Sequence, residues 1–433
     1  MSILIKNALI LSMMENSKEP YKGDILIKGQ FIEEIGENLK SSDPALIVID
    51  AKGMVAMPGL INTHNHTPMS LLRCFSDDLR LMDWLDNKML PAENRMNEED
   101  IYWGALLGII EMIKSGTTAY ADMYIQMDQI ANAVAQSGIR ASLTRGLVFF
   151  DDDRGKRLQE GIDLVEKWHG KAEGRITTMM GPHAPFTCPP DKLQEVISVA
   201  DKLEVPIHIH LAETIEEVQK IRIKYNRTPS EYLYDLGLFD NKHHVLLAHA
   251  IHLNDSDIQI IKNNLGGVAH NPMSNLKLGC GIADIKKYLD NGVNVGIGTD
   301  GPGSASSLDL FKEMKFAAGL QKVEYFDPTV LNAETTLTMA TTGGARLLNI
   351  YNEVGTLEIG KKADIILVDI NKPHLMPHHN IKSLLVYSAI GSDVNTSIID
   401  GEIVMRDGKV LTIDEQEVLE QIAKRSKRIV EGI

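Results

Sequence analysis

Two histidines, His64 and His66, follow an apolar run in the stretch GLINTHNH, residues 59–66. In a β-strand alternate side chains share a face, so both imidazoles would project to the same side. A pair of histidines in this spacing can bind a metal, but ordinary burial or surface exposure explains it equally well. A metal site therefore requires further ligands elsewhere in the chain.

Candidate partners end other strand-like runs. His210 ends the run in PIHIHLAET, and Asp300 ends NVGIGTD. Three neutral imidazoles and one carboxylate suit Zn²⁺, or Fe²⁺ in a similar environment. His208 shares its strand face with His210, and we favour His210 as the ligand because it lies nearer the strand end. His208 would then have a supporting or packing role.

Three further residues at strand ends could take part in chemistry. His249 in VLLAHAIHL could be a ligand, a base or a core histidine, and its spacing does not choose among these. His183, between two prolines in GPHAP, fits either a rigid substrate-orienting loop or an ordinary turn. Glu213, three residues after His210, is placed to shuttle protons for a metal-activated water. Alternatively, Glu213 stabilises the start of the helix that follows.

Strands that alternate with helices must position these residues. The strand-like runs after GLINTHNH are RASLTRGLVFF, RITTMMGPHAP, VPIHIHLAET, HHVLLAHAIHL, LGGVAHNP and VNVGIGTDGP. Helical patterns such as PPDKLQEVISVADKL lie between them. This alternation predicts an α/β fold, most simply a (β/α)₈ barrel over residues 59–353. A barrel gathers its strand ends around one mouth, so the candidate residues can converge.

The two ends of the chain differ from this middle part. Residues 1–58 and 354–433 contain short strand patterns with turns, and they predict one small β-sandwich domain built from both ends. We interpret HLMPHHN, residues 374–380, as one of these strands. An exposed helix from about residue 415 to residue 431 closes the chain.

Composition narrows the classes of function. The 433 residues carry a formal net charge of −15 without a basic cluster, which disfavours binding to nucleic acid. Three cysteines far apart in sequence, Cys74, Cys188 and Cys280, supply neither a disulfide framework nor a Cys-x-x-Cys zinc site, which fits a reducing cytosol. We find no signal peptide and no apolar run of roughly 18 residues, so we predict a cytoplasmic protein without a membrane partner.

The number of metal ions also follows from a missing residue. Two-metal barrel hydrolases commonly bridge their ions with a carboxylated lysine on a middle strand. The corresponding run, GRITTMMGPH, contains no lysine, so we expect a single metal. The cysteine-based deaminase motif is absent as well, so deamination would have to use histidines and an aspartate.

Several motifs together resemble the mononuclear aminohydrolase branch of the amidohydrolase superfamily. They are MPGLINTHNH, IHLAET, LLAHAIHL, AHNPMSNLKLG, GIGTDGPGSASSLDLFKEM and the return strand GTLEIGKKADIILVD. Within that branch the chain is most similar to the 5'-methylthioadenosine/S-adenosylhomocysteine deaminases and the related 5'-deoxyadenosine deaminases. The resemblance implies deamination of one of these nucleosides, or of adenosine, to the inosine analogue and ammonia.

The resemblance also implies roles for the candidate residues. One divalent metal, Zn²⁺ before Fe²⁺, would be bound by His64, His66, His210 and Asp300. Glu213 would protonate the purine ring nitrogen, while His249 and Asp300 would manage the protons of the attacking hydroxide.

Residues that would contact the substrate can be matched in the same way. Glu93 would hold the ribose hydroxyls, and His183 would contact the substrate. Ser304 would line the metal pocket next to the substrate, unless it only serves the turn in its Gly- and Ser-rich loop. Arg145 and Arg157 would face the carboxylate of a homocysteine tail. The acidic run at residues 151–153 weakens that last expectation, because its charge competes for the arginines.

Other functions fit parts of the pattern. A guanine or other purine-base deaminase, or a triazine chlorohydrolase, would share the metal ligands, but Glu93, His183 and the two arginines favour a nucleoside. A binding protein without catalysis would not need both Glu213 and His249, and a non-haem iron oxygenase would need fewer ligands and a different fold. Relatives often form homo-oligomers, although the sequence reveals no interface.

Overall fold

The computed structural model describes residues 2–15, 19–151, 153–240 and 244–433. Asp152 of the acidic run and the first histidine of HHVLLAHAIHL therefore lie outside the described residues. Within these ranges the strands are, in chain order, β1 (Ser2–Ile10), β2 (Tyr21–Lys28), β3 (Phe31–Gly36), β4 (Ile47–Asp50), β5 (Met54–Pro58), β6 (Leu60–Asn65), β7 (Thr117–Tyr124), β8 (Arg140–Leu147), β9 (Ile176–Pro182), β10 (Ile207–Leu211), β11 (Val245–His249), β12 (Gly267–His270), β13 (Val295–Ile297), β14 (Ile365–Asp369), β15 (Val394–Ile399), β16 (Glu402–Arg406) and β17 (Lys409–Val410).

Helices fill most connections between these strands. In the described ranges the α-helices are α1 (Leu81–Trp84), α2 (Leu90–Glu93), α3 (Glu98–Lys114), α4 (Met127–Ser137), α5 (Lys156–Trp168), α6 (Pro190–Leu203), α7 (Ile215–Tyr225), α8 (Pro229–Asp235), α9 (Asp255–Lys262), α10 (Pro272–Lys277), α11 (Ile285–Asp290), α12 (Pro302–Ala305), α13 (Leu310–Glu324), α14 (Ala333–Thr338), α15 (Gly344–Leu347), α16 (Ile381–Tyr387) and α17 (Glu415–Val430). Shorter 3₁₀ or π segments are Thr67–Leu72, Leu85–Met89, Met339–Gly343, Pro373–Leu375 and Gly391–Asp393. None of these helices combines the length and the apolar character that a bilayer span requires.

Strands β6 to β13 form a parallel eight-stranded barrel in sequential order, which confirms the predicted fold class. The backbone N–H of Asp300 donates to the carbonyl of His64 at 3.0 Å, which joins the end of β13 to β6 and closes the ring. In β10 the residues Ile207 and Ile209 pack into the main apolar core, so the alternate residues His208 and His210 face the barrel interior. This alternation places imidazoles inside the barrel.

One barrel strand, β7, has no counterpart among the strand-like runs of the sequence. Its sequence, TTAYADMY, is completely buried. Alanine, threonine and aspartate do not produce the Val- and Ile-rich pattern typical of a parallel strand, and the run directly follows helix α3. Burial on both faces, which depends on the whole barrel, makes this segment a strand.

The two chain ends build a second, mixed sheet of nine strands. Strand β5 pairs with the antiparallel β14, which joins the N-terminal strands to the C-terminal strands. This sheet has its own apolar core, in which Ile5, Ile25 and Leu367 are fully buried. The segment HLMPHHN is not a strand, so that interpretation was wrong; Pro373–Leu375 forms a 3₁₀ turn instead. Proline lacks the N–H that a strand ladder requires.

A buried ionic cluster connects the sheet to the base of the barrel. Arg140, at the start of β8, donates from Nε and Nη2 to the two carboxylate oxygens of Asp364, each at 3.1 Å. Asp400 contacts the same guanidinium at 3.4 Å. Both carboxylates lie almost entirely out of solvent, so the pairing satisfies charges that would be costly to leave alone. The sheet is thus joined to the barrel at the end opposite to the carboxyl ends of the barrel strands.

Candidate active site

The candidate residues meet where the barrel strands end. His64 lies near the end of β6, His210 lies near the end of β10, His249 is the last residue of β11, and Asp300 follows β13. His249 and Asp300 have φ angles of 69° and 62°, in the left-handed region that non-glycine residues seldom adopt. Such backbone strain persists where surrounding structure enforces it, and it is concentrated at functional sites.

An imidazole and carboxylate cluster occupies the centre of this mouth. His66 Nε2 lies 3.1 Å and His64 Nε2 lies 3.5 Å from Asp300 Oδ1. The ring centres of His64 and His210 are 4.8 Å apart. Ligand atoms of His64, His66 and Asp300 lie within 4.8 Å of one another, as do those of His64, His210 and His249. Three nitrogens and one oxygen at this spacing form a donor set that fits a zinc-like ion.

Hydrogen bonds fix which nitrogen of each imidazole faces the cluster. Nδ1 of His66 lies 2.5 Å from the carbonyl of Met123, and Nδ1 of His210 lies 2.8 Å from the carbonyl of His183. A carbonyl only accepts, so each Nδ1 carries a hydrogen, and in the neutral ring each Nε2 keeps its lone pair for an ion. His64 Nε2 is buried without a hydrogen-bond partner. An unpartnered ring nitrogen beside these lone pairs fits a metal-binding site.

Burial sets the protonation of the cluster. It lowers the pKa of His64 to about 3 and that of His210 well below its usual value, so both imidazoles are neutral. For Asp300 burial alone would raise the pKa, but the facing imidazoles of His64 and His66 hold it well below the usual range. For His66 burial alone would lower the pKa, but the facing Asp300 carboxylate raises it to about 9, so a metal ion would displace a proton from this ring. Neutral imidazoles and an ionised carboxylate are the forms that bind a metal.

Two serines support the aspartate. Ser274 Oγ lies 2.5 Å and Ser304 Oγ lies 2.9 Å from Asp300 Oδ2. The sequence placed Ser304 near the substrate but did not identify Ser274, which lies in helix α10 within the motif AHNPMSN. The only signal for Ser274 was its place in that motif, since nothing local indicates its contact with a residue 26 positions away.

Glu213 and His249 form a second pair beside the cluster. Glu213 Oε1 lies 3.8 Å from His249 Nε2, and burial raises the pKa of Glu213. His249 Nδ1 lies 2.8 Å from Asn275 Oδ1, which leaves Nε2 to face the carboxyl group. Asn275 was not identified from the sequence, and it too lies in α10.

Another residue has the helix-stabilising role considered for Glu213. Thr214 caps α7 by accepting from the N–H of Glu217 at 3.2 Å. The Glu217 carboxylate accepts from the backbone N–H groups of Ala212 and Glu213, at 3.0 and 2.9 Å. The Glu213 carboxyl group is therefore available to a substrate.

Two expected substrate residues lie beside the cluster. Glu93 accepts from the hydroxyl of Tyr124 at 2.6 Å, and burial raises the pKa of Glu93. The Tyr124 ring centre is 6.4 Å from that of His66. The ring centre of His183 lies 4.7 Å from that of His210. Burial also lowers the pKa of His183 to about 4.

The two arginines make different contacts. Arg145 donates from Nε to Glu160 Oε2 at 2.9 Å, and its side chain is 11% exposed. Arg157 donates from Nη1 to Asp151 Oδ1 at 2.6 Å and contacts Asp153 at 3.7 Å. Both guanidinium charges are thus compensated by carboxylates near the start of α5.

Known proteins share this fold and sequence pattern. The sequence profile described as the amidohydrolase family matches residues 55–404. A 5-methylthioadenosine/S-adenosylhomocysteine deaminase of Carboxydothermus hydrogenoformans is 49% identical over 434 residues, which cover 100% of this chain and 99% of that protein. A 5'-deoxyadenosine deaminase of Methanosarcina mazei is 46% identical over 430 residues, or 99% and 98% of the two chains. A crystal structure of an adenosine deaminase from Xanthomonas campestris with bound zinc superposes with a TM-score of 0.93 at 30% identity, covering 99% of this chain and 98% of that one.

Proposed function

The chain belongs to the amidohydrolase family, and on that basis we propose that it deaminates adenosine-type nucleosides by hydrolysis. The products are the inosine analogue and ammonia, and the substrates are 5'-deoxyadenosine, 5'-methylthioadenosine, S-adenosylhomocysteine or adenosine. The observation that carries this proposal is the pair of Glu213 and His249 beside a cluster of three histidines and an aspartate. That arrangement combines a proton donor and a proton acceptor with a metal-type donor set.

We propose that His64, His66, His210 and Asp300 would hold one divalent metal ion, with Zn²⁺ preferred over Fe²⁺. Such an ion, when bound, would lower the pKa of a water molecule at the site and would supply hydroxide near neutral pH. The buried, unpartnered Nε2 of His64 and the fixed Nδ1–H groups of His66 and His210 support this assignment.

Glu213 acts as the acid in the proposed mechanism. Its raised pKa favours the protonated form, so it can donate to the purine ring nitrogen next to the carbon that is attacked. Protonation there prepares that carbon for the nucleophile and leaves the hydrogen on the ring nitrogen of the inosine product.

His249 and Asp300 move the two hydrogens of the attacking water. His249, held through Nδ1 by Asn275, accepts one hydrogen at Nε2 and returns it to Glu213, 3.8 Å away. Asp300, kept ionised by its neighbours, takes the hydrogen of the new C–OH group and passes it to the departing amino group. One hydrogen of the water thus replaces the one that Glu213 gave to the ring, and the other leaves with ammonia. The reaction needs no reactant besides the nucleoside and water.

We assign the nucleoside end of the site to Glu93 and His183. A carboxylate accepts from two vicinal hydroxyls, so Glu93 suits the 2'- and 3'-hydroxyls of a ribose. This feature favours a nucleoside over the free bases of a guanine deaminase and over the triazines of a chlorohydrolase. A cytoplasmic location accords with three free cysteines. The homo-oligomer and the domain boundaries at 58/59 and 353/354 stay predictions.

Ammonia release from purified enzyme of measured metal content tests the proposal. The substrates to compare by kcat/KM are 5'-deoxyadenosine, methylthioadenosine, adenosylhomocysteine, adenosine, adenine and guanine. We expect the 5'-modified adenosines to give the highest values. Turnover of a free base alone, or of none of the six, would contradict the proposed substrate class.

A further inference from the structure

His208 lies directly behind the candidate metal cluster, and the proposed mechanism leaves it without a role. It is fully buried inside the barrel, two residues before His210. Its Nε2 lies 2.9 Å from His64 Nδ1, and its Nδ1 lies 3.4 Å from Thr144 Oγ1. The rings of His64 and His208 meet edge to face, at an interplanar angle of 83°.

The position of His64 determines the direction of these hydrogen bonds. His64 Nε2 points at the cluster, 3.5 Å from Asp300 Oδ1, and has no hydrogen-bond partner. A nitrogen that ligates a metal keeps its lone pair for the ion, so the hydrogen of His64 must be on Nδ1. Nδ1–H then donates to His208 Nε2, and the hydrogen of His208 must be on Nδ1, facing the Thr144 hydroxyl. The hydrogen bonds from His64 through His208 to Thr144 therefore assign one ring hydrogen to Nδ1 of each histidine.

The other histidines of the proposed ligand set are oriented differently. His66 and His210 donate Nδ1–H to the backbone carbonyls of Met123 and His183. Those acceptors are backbone carbonyls, so they would be present whichever side chains stood at positions 123 and 183. Among the three ligand histidines, His64 alone depends on another side chain for its orientation.

We propose that His208 is a positioning residue that fixes the tautomer and ring orientation of His64, and that it thereby sets the metal affinity of the site. This inference rests on the metal site of the proposed function. Without an acceptor at position 208, the Nδ1–H of His64 is buried unpaired, and the other tautomer, which cannot ligate through Nε2, gains weight. Outer partners of ligating histidines typically change metal affinity by about 10- to 100-fold when they are removed.

Metal affinity, measured by Zn²⁺ titration against a competing chromophoric chelator, tests this role directly. We expect His208→Leu to weaken Zn²⁺ binding by about 10- to 100-fold. His208→Gln should bind within a few-fold of the unmodified protein, because its amide oxygen can accept from His64 Nδ1. Thr144→Val removes only the hydroxyl that faces His208 Nδ1. It should weaken Zn²⁺ binding less than His208→Leu does.

His270 provides the matched control. It is a fully buried histidine at the end of β12, and neither ring nitrogen has a hydrogen-bond partner. His270→Leu should leave Zn²⁺ affinity unchanged. Equal affinity of His208→Leu and the unmodified protein, with only a lower melting temperature, would show that His208 merely packs. If His208→Leu does not fold, a His208→Gln variant that folds but binds Zn²⁺ at least about 10-fold more weakly than the unmodified protein would overturn the proposal.

The two proposals fail in different ways. A protein that binds Zn²⁺ but releases ammonia from no nucleoside would refute the proposed function, and the affinities of the position 208 variants would still decide the role of His208. A protein that deaminates nucleosides while all position 208 variants bind Zn²⁺ equally well would refute only the positioning role.

Discussion

The carboxyl group of Glu213 faces the ring of His249, with Oε1 3.8 Å from Nε2, on the ends of adjacent barrel strands. Burial raises the pKa of Glu213, and Asn275 holds the far side of the imidazole. Glu213 is thus suited to donate a proton, and His249 Nε2 is suited to accept one. The roles of acid and base that we propose rest on these environments rather than on residue type alone.

Glu213→Gln should retain the metal and lose turnover. The amide keeps the size of the side chain but cannot donate the proton, so we expect kcat to fall by about 10²- to 10⁴-fold. Measured Zn²⁺ content should equal that of the unmodified protein, whereas His64→Ala should lose both metal and activity. Glu216→Gln, at an exposed neighbouring carboxylate, is the control. Near-normal rates for Glu213→Gln would show that another group is the acid.

Asn275→Leu should lower activity without changing metal content. The substitution removes the Oδ1 that lies 2.8 Å from His249 Nδ1, so the ring loses its fixed tautomer. We expect kcat to fall by at least about 10-fold with little change in KM. Leu276→Ala, on the exposed side of the same helix, controls for disturbance of α10. A rise in KM at constant kcat would instead indicate that Asn275 contacts the substrate.

The sequence predicts the convergence of His64, His66, His210 and Asp300 because each lies at a strand end and a barrel brings such ends together. It does not reveal Ser274, Asn275 or Tyr124. Their roles depend on a single contact between side chains that are 26 or 31 residues apart, and no local pattern encodes that contact.

The same limit applies to elements of the fold. Strand β7 is a strand because the barrel buries both of its faces, whereas its own composition is weak evidence. The segment HLMPHHN contains the apolar pair Leu375 and Met376, but Pro377 lacks the N–H that a strand ladder requires. The spacing of apolar residues therefore predicts the barrel, whereas the packing around each segment decides whether that segment is a strand.

Glu217→Gln should destabilise the protein. Both oxygens of the Glu217 carboxyl group accept backbone N–H groups, from Ala212 and Glu213. The protonated carboxyl group keeps an acceptor lone pair on each oxygen, whereas the amide nitrogen of glutamine cannot accept. One buried N–H is left unpaired, at a cost of about 1–3 kcal/mol in the free energy of unfolding. Urea unfolding at a pH near 5 provides the measurement.

Glu217 should also affect how the free energy of unfolding changes with pH. Burial raises its pKa to about 8 in the folded protein, so folding favours its protonated form. The resulting stabilisation is complete below the pKa of the unfolded chain and is lost as pH rises through about 8. Glu217→Gln should therefore flatten the decline of unfolding free energy between acidic pH and pH 8. An unchanged slope would show that Glu217 is already ionised in the folded protein.

The acidic partners of the two arginines should disfavour S-adenosylhomocysteine. Arg145 pairs with Glu160 and Arg157 pairs with Asp151, so a substrate carboxylate would have to compete with these contacts. We expect a higher kcat/KM for 5'-deoxyadenosine and methylthioadenosine, whose 5' groups are uncharged.

Glu160→Gln and Asp151→Asn should raise kcat/KM for S-adenosylhomocysteine several-fold and leave the uncharged substrates unaffected. Glu166→Gln, an exposed carboxylate farther along α5, should change neither value. If the double variant Glu160→Gln, Asp151→Asn keeps the original ratio of kcat/KM values, the two arginines do not contact the 5' end of the substrate, and selectivity must arise elsewhere in the pocket.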